Sequence, residues 1–252
     1  MMINLIKAEF IKEKRGANFK LIFIVPVVFV VFNLLMVSLM GQSPEGKSYI
    51  LATSFNWYPV MILPIVLSLL AVNIMAKEKP EHLGRYNSMN LSIGKMMIAK
   101  NIVVFSELFA ILFISSLLIY IIGKMVLGET IFIHTLIIAT LCLFVGSLPI
   151  ATLSLLIYRL FNKRLPVIII NFLFTFPSAV IAVTNHWEFF PWAYNLRILS
   201  PIIGVHPNGT FLNPDSPMME IGAVYTGLLI SIAVWLVTDI LILIKERRKI
   251  HA

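Results

Sequence analysis

Six apolar runs, each about as long as a bilayer is thick, constrain this chain more than any other feature. They cover residues 21–40, 57–76, 102–122, 135–158, 166–184 and 222–244. An α-helix needs about 17–25 mostly apolar residues to cross the hydrocarbon layer. Charged residues make up only 13% of the chain, against about 25% in soluble domains, too few to cover a water-facing surface. Mean hydropathy is correspondingly high, +0.93. The expected fold is all-α and membrane-integral: one transmembrane domain over residues 1–252, with six spanning helices.

Lysine and arginine set the orientation. The tail 1–20 carries five, loop 77–101 five, loop 159–165 three and the tail 245–252 four, while segments 41–56, 123–134 and 185–221 carry one each. Seventeen of the twenty cations therefore fall on one side. Basic residues accumulate on the cytoplasmic side of a membrane, so both termini and loop 77–101 are expected there, in a multi-pass plasma-membrane protein. Acidic residues divide evenly, five to each side and two within the runs. The net charge of +8 is thus a topology signal; no basic stripe on a soluble domain points to nucleic acid. The one cysteine, Cys142, excludes an intrachain disulfide and a multi-cysteine metal site.

Residues 1–20 are basic and amphipathic, with Ile3, Ile6, Phe10 and Ala17 near one helical face. A helix lying in the membrane interface is expected; a polar tail that only fixes orientation is the alternative. The run that follows is too long for a signal-peptide core. RLFNKRL, at 159–165, leaves room only for a tight hairpin between the fourth and fifth runs. Phe55, Trp57 and Tyr58, and later Trp187, Phe189, Phe190, Trp192 and Tyr194, suit an aromatic belt at the outer interface. Segment 185–221 is half apolar but broken by Pro191 and Pro201, so it is expected to re-enter the membrane in part.

The interior stretch that stays polar longest is 77–100, KEKPEHLGRYNSMNLSIGKMMIAK. Asn87 and Ser88 offer a helix cap before Met89, Leu91, Ile93, Met96 and Met97. A short helix exposing Met, Leu and Ile suits a groove on a partner protein; an ordinary loop on the membrane surface is the plainer alternative.

No catalytic constellation is evident. Gly94-Lys95 lacks the upstream glycine and following hydroxyl of a phosphate-binding loop, and no paired His or Cys arrangement exists. Ser115, Ser116 and Ser154 have no base at helical spacing and suit helix packing instead. Asn33, Asn73 and Asn171 suit interhelical hydrogen bonds, and Pro64, Pro149 and Pro177 can kink their runs. Two acids, Glu107 and Asp239, lie within runs, where a carboxylate is a candidate for a substrate or proton path. The plainer reading places Glu107 near Lys100 along its helix and lets Asp239 reach the basic cluster 245–249 or pair locally.

The layout resembles ABC-2-type permeases, and within them the lantibiotic-immunity permeases of the MutE/EpiE kind. LIKAEFIKEKRG before the first run, FNWYPVMILPI at the second, and AKEKPEHLGRYNSMNLSIGKMMIAKN leading into the third carry the likeness. The resemblance implies a dimer of permease chains, alike or different, each driven by a cytoplasmic ATP-binding subunit. ATP and Mg would be held by that partner, with no cofactor, metal or catalytic residue in this chain. Residues 87–95 match the coupling segment, making Asn87, Ser88, Met89, Leu91, Ser92, Ile93 and Lys95 the coupling candidates. Residues 5–15 match the interfacial helix, and 185–221 the outer cap of the dimer. The implied cargo is a lantibiotic, a cationic antimicrobial peptide, removed from the membrane of a Gram-positive cell to give self-immunity or resistance. Without a large extracellular domain, the chain departs from the bacitracin-sensing permeases. An ABC-2 permease for another drug, lipid or peptide is the near alternative; a membrane scaffold or sensor without transport, or a membrane-embedded enzyme, are the distant ones.

Overall fold

The computed structural model describes residues 2–78 and 93–250, with side chains for all of these but 93 and 245–250. Among the described residues the regular elements are helical, apart from one isolated bridge between Val205 and Phe211. The α-helices are α1 (Met2–Glu13), α2 (Ala17–Met40), α3 (Tyr49–Met61), α4 (Leu63–Met75), α5 (Ile93–Met125), α6 (Ile133–Phe161), α7 (Arg164–Thr175), α8 (Ser178–Ile181), α9 (Tyr194–Ile203) and α10 (Gly222–Ile250), with 3-10 turns at Trp187–Phe189, Pro191–Ala193 and Pro217–Met219. Four of them, α2, α5, α6 and α10, are long and apolar enough to cross a bilayer, and α3 with α4 makes a fifth if their bent pair is one span. The VVFVVF stretch of α2 would favour a strand in water. In lipid each backbone group must be satisfied within its own segment, and the helix wins.

Two of the six expected runs are divided. The second starts earlier than its apolar edge, at Tyr49, because Ser48 caps the helix by accepting from the Leu51 N–H at 3.0 Å. It then bends by 51° at Ile62. Pro64 has no N–H to give the preceding turn, but sits without cost in the first turn of a new helix. The fifth run becomes the 12-residue α7 and the one-turn α8, separated at Phe176 and Pro177. Phe176 keeps helical dihedrals (φ −59°, ψ −47°), but Pro177 has no N–H to continue the hydrogen-bond ladder, and α7 stops there. Twelve residues reach about 18 Å, short of a bilayer core.

The expected hairpin at 159–165 is present. Asn162 adopts the left-handed conformation (φ 52°, ψ 29°), ends α6, and lets α7 begin two residues later. Asparagine tolerates this region because its short side chain carries little steric penalty there.

At the centre stands α6, packed against α4, α5, α7, α9 and α10. Within its most apolar window 67% is interior, against 28% for α2 and 22% for α10, so those two are peripheral. Phe23, Val27, Val31 and Leu35 of α2 face outward, as a lipid-facing helix requires. Polar side chains tie the interior together. Asn171 of α7 donates to Ser68 of α4 and Ser154 of α6, both at 2.7 Å, and accepts from the Trp192 indole at 3.2 Å. Ser116 of α5 and Thr140 of α6 share a hydrogen bond of 2.7 Å.

The aromatic belt is corrected in part. Phe55 and Tyr58 lie inside the bundle, Tyr58 edge-on to Phe29 with centroids 4.2 Å apart. Trp187 and Tyr194 are buried too, while Phe189 is exposed. Helix α9 is enclosed between α3, α6 and α10. Glycines make its seat: a Cβ on Gly146 of α6 would collide with the Asn195 amide, and one on Gly227 of α10 with the Ile198 side chain.

Candidate functional site

The most concentrated chemistry lies where α1 crosses the end of α4 and the start of α5. Glu9 and Glu13, one turn apart on α1, are 97% buried, whereas Ile3, Phe10 and Ile11 are exposed. The face that turns into the protein is thus the acidic one, and the apolar residues point outward. An apolar stripe reports the buried face only when water lies outside. A helix at a lipid boundary inverts that rule.

Four charges close a ring there. Lys100 of α5 is fully buried, its ammonium 2.8 Å from Glu9 Oε2 and 3.0 Å from Glu78 Oε1, and it also donates to the Ile74 carbonyl at 3.5 Å. Lys12 of α1 bridges the same two acids, at 2.7 Å to Glu9 Oε1 and 2.9 Å to Glu78 Oε1. Opposite charges so placed offset the cost of removing each from water. Burial opposes both charged forms: it raises the Glu78 carboxyl, but Lys100 and Lys12 outweigh it and hold it below its ordinary value. Burial likewise lowers Lys12, yet hydrogen bonds and charge from Glu9 and Glu78 hold its ammonium above its ordinary value. Beside the ring, Lys77 pairs with Glu13 at 2.7 Å and donates to the Lys12 carbonyl at 2.9 Å.

The two acids within the spans have separate surroundings. Glu107 accepts from the Asn18 amide of α2 at 2.8 Å; that amide also donates to the Leu70 carbonyl, and Asn18 accepts from Asn73. Lys100, one candidate neighbour along the helix, points into the ring instead. Glu107 borders a groove of about 410 Å³ between α1, α2 and α5, walled by Phe10, Phe19 and Ile22. Asp239 accepts from Trp235, one turn earlier on α10, at 2.8 Å, and from the Asn101 amide of α5. One of these partners is on its own helix and the other on α5.

Of the coupling candidates, Asn87, Ser88, Met89, Leu91 and Ser92 lie outside the described residues. Ile93 begins α5, and Lys95 is exposed on its first turns. Met96 and Met97, expected on the same docking face, are corrected: both are buried, because the helix they belong to is α5 itself packed on α1 and α2. Glu9, Lys12, Glu78 and Lys100 were not singled out by the sequence. The visible signal was a lysine set in the helical stretch MMIAKNIVV with no acid one turn away on its own helix. The acids that pair it are 91 and 22 residues distant in sequence, as the residue numbers give.

At the other end of the bundle Glu129, in the connection from α5 to α6, gathers the start of α3. It accepts from Ser48 at 2.5 Å, from the Ile50 N–H at 3.1 Å, and from Ser43. A carboxylate on free N–H groups at a helix start is stabilising. Tyr49 stacks on Phe211, whose ring also receives the Lys47 ammonium at 4.7 Å. No group of three or more metal-ligating side chains occurs among the described residues.

Neither a curated protein nor a solved structure matches the chain. A family model described as "ABC-2 family transporter protein" matches residues 5–178, which takes in most of α1, all of α2 through α7 and the charge ring. With more than two-thirds of its length so matched, this multi-pass helical chain belongs to the ABC-2 family of transporter proteins.

Proposed function

We propose that the chain is the permease subunit of an ATP-driven exporter that removes a lantibiotic from the plasma membrane, giving immunity or resistance. Membership of the ABC-2 family makes it a transport subunit of a kind that generally works with a cytoplasmic ATPase. In this reading the chain crosses the membrane six times with both termini in the cytoplasm, α7 and α8 together forming the fifth crossing. Helix α1 lies in the inner interface, and α9 is the re-entrant part of segment 185–221. ATP and Mg stay on the partner, and a second permease chain completes the assembly.

The observation that supports coupling most directly is the charge ring, in which Glu78, just past α4, and Lys100, on the second turn of α5, are both paired with α1. Choice of cargo rests on the resemblance of the N-terminal and 75–101 motifs to lantibiotic-immunity permeases.

Affinity purification of the detergent-solubilised chain, followed by mass spectrometry, tests the assignment. An ATP-binding subunit is expected with the wild type and lost when Met89, Leu91 and Ile93 are all replaced by Asp. Cells carrying that triple variant should lose resistance to the peptide while inserting the chain normally. Survival at normal expression would remove the docking role of the segment. Orientation is tested separately, on a Cys142→Ala background. Asn208→Cys should react with an impermeant thiol reagent from outside, and His82→Cys should not; the reverse pattern would invert the topology.

A further inference from the structure

We propose that the groove between α1, α2 and α5 is a binding site for a lipophilic cation, with Glu107 as its counter-charge. The site goes beyond the transporter reading and depends on no particular cargo.

Glu107 has more capacity than the fold uses. It is only 4% exposed, and one of its oxygens accepts from the Asn18 amide at 2.8 Å. Among the described residues its other oxygen receives no hydrogen bond, and no lysine or arginine pairs with it. Asn18 is fully engaged, since its second N–H goes to the Leu70 carbonyl and its oxygen accepts from Asn73. A neutral glutamine at 107 would serve Asn18 equally well. The other buried acids nearby are answered within the chain: Glu9, Glu13 and Glu78 each have a lysine. A carboxylate buried without a cation is costly, and a cation brought by a ligand would offset that cost.

The space around Glu107 has the form of a ligand site. Its volume, about 410 Å³, falls within the usual range of small-molecule pockets. Two acids line it; Glu13 is taken by Lys77, which leaves the charge of Glu107 uncompensated. Lys14, also at the edge, is exposed and can carry its ammonium outward, away from the groove. Phe10 of α1 and Phe19 of α2 stand on the wall, 41% and 44% exposed. Aromatic faces accept both the apolar body of such a ligand and its positive charge. Ala110, three residues on from Glu107, is small and keeps the α5 side open. The exposed rim residues Ile11 and Phe19 are apolar, so the ligand enters from the bilayer, where lipophilic cations concentrate.

Equilibrium binding of tetraphenylphosphonium to the full chain in phosphatidylcholine nanodiscs tests the site. Its charge is permanent, and tetraphenylborate offers the same shape with the opposite charge. The wild type should bind the cation saturably and one-to-one, and should not bind the anion. Glu107→Gln keeps the acceptor for Asn18 and removes the charge. It should weaken binding about thirtyfold, the low end for removing one partner of a buried charge pair. Ala110→Phe fills the groove and leaves the charge in place, and should weaken binding by a similar factor. Without ligand, both variants should melt with the wild type.

Tetraphenylborate bound as tightly as the cation would overturn the proposal, as would the absence of saturable binding in the wild type. So would an affinity in Glu107→Gln within twofold of wild type. If Glu107→Gln melts lower without ligand, Ala110→Phe decides, and undiminished binding there overturns the site. None of these measurements involves an ATPase or export. A chain that recovers no ATPase would therefore remove the transporter reading without touching the groove.

Discussion

Lys100→Met is expected to lower the unfolding free energy of the purified chain by about 3–5 kcal/mol, the usual effect of breaking a buried ion pair by removing one partner. The loss is large because of what remains. Glu9 and Glu78 keep only Lys12 between them, so two buried carboxylates share one ammonium. The lysine's own burial makes its removal a packing change as well, though methionine fills nearly the same length. Glu78→Gln combined with Lys100→Met should be far milder than Lys100→Met alone, since it leaves Glu9 and Lys12 as a neutral pair on α1. Thermal unfolding in a fixed detergent, read by near-ultraviolet circular dichroism, separates the two. If the single variant melts within a degree of wild type, the ring contributes little to the fold.

The second large effect is expected at the seat of α9. Gly227→Val should destabilise the chain by about 1–3 kcal/mol, and Gly146→Val by a similar amount, as overpacking a filled interior does. At Gly227 a new Cβ meets the Ile198 side chain, with its Cδ1 2.9 Å away. At Gly146 it meets the Asn195 amide, which donates to Ser147 at 3.1 Å and would have to leave that bond. Neither obstacle can swing into open space, because Asn195 and Ile198 are themselves buried. Truncating the obstacle gives the control: Ile198→Ala should recover much of the stability lost in Gly227→Val. Elution as a monodisperse peak on gel filtration, together with the melting temperature, reports both. A Gly227→Val chain that melts with the wild type would mean that α9 does not sit between α6 and α10.

The sequence disclosed the long elements because lipid imposes a simple demand. Apolar runs of sufficient length with at most one charge had to become helices, and α2, α5, α6 and α10 follow from that alone. It disclosed less where one residue decides the outcome. Pro64 and Pro177 were visible as kink sites, but only the surrounding helices decide whether a proline bends a span or divides it. The N-terminal helix was read by the position of its apolar stripe. Glu9 and Glu13 reverse the expected inner face because Lys100 and Lys77 wait on other elements. Pairs formed across more than sixty residues leave no local trace, so the contacts of Glu9 with Lys100 and of Glu13 with Lys77 could not be seen. Glu107 and Asp239 were legible as intramembrane acids; their amide and indole partners on other turns and helices were not.

The bend at Ile62 acquires meaning from what grips the two sides of it. Glu129 fastens the start of α3 to the connection between α5 and α6, and the charge ring fastens the region just past α4 to α1 and α5. A rod pinned at both ends can neither slide nor lengthen. A rod with an elbow, pinned in the same way, can still fold or straighten. A displacement at the ring would therefore reach the far end of the α3–α4 pair as a change of angle rather than of position.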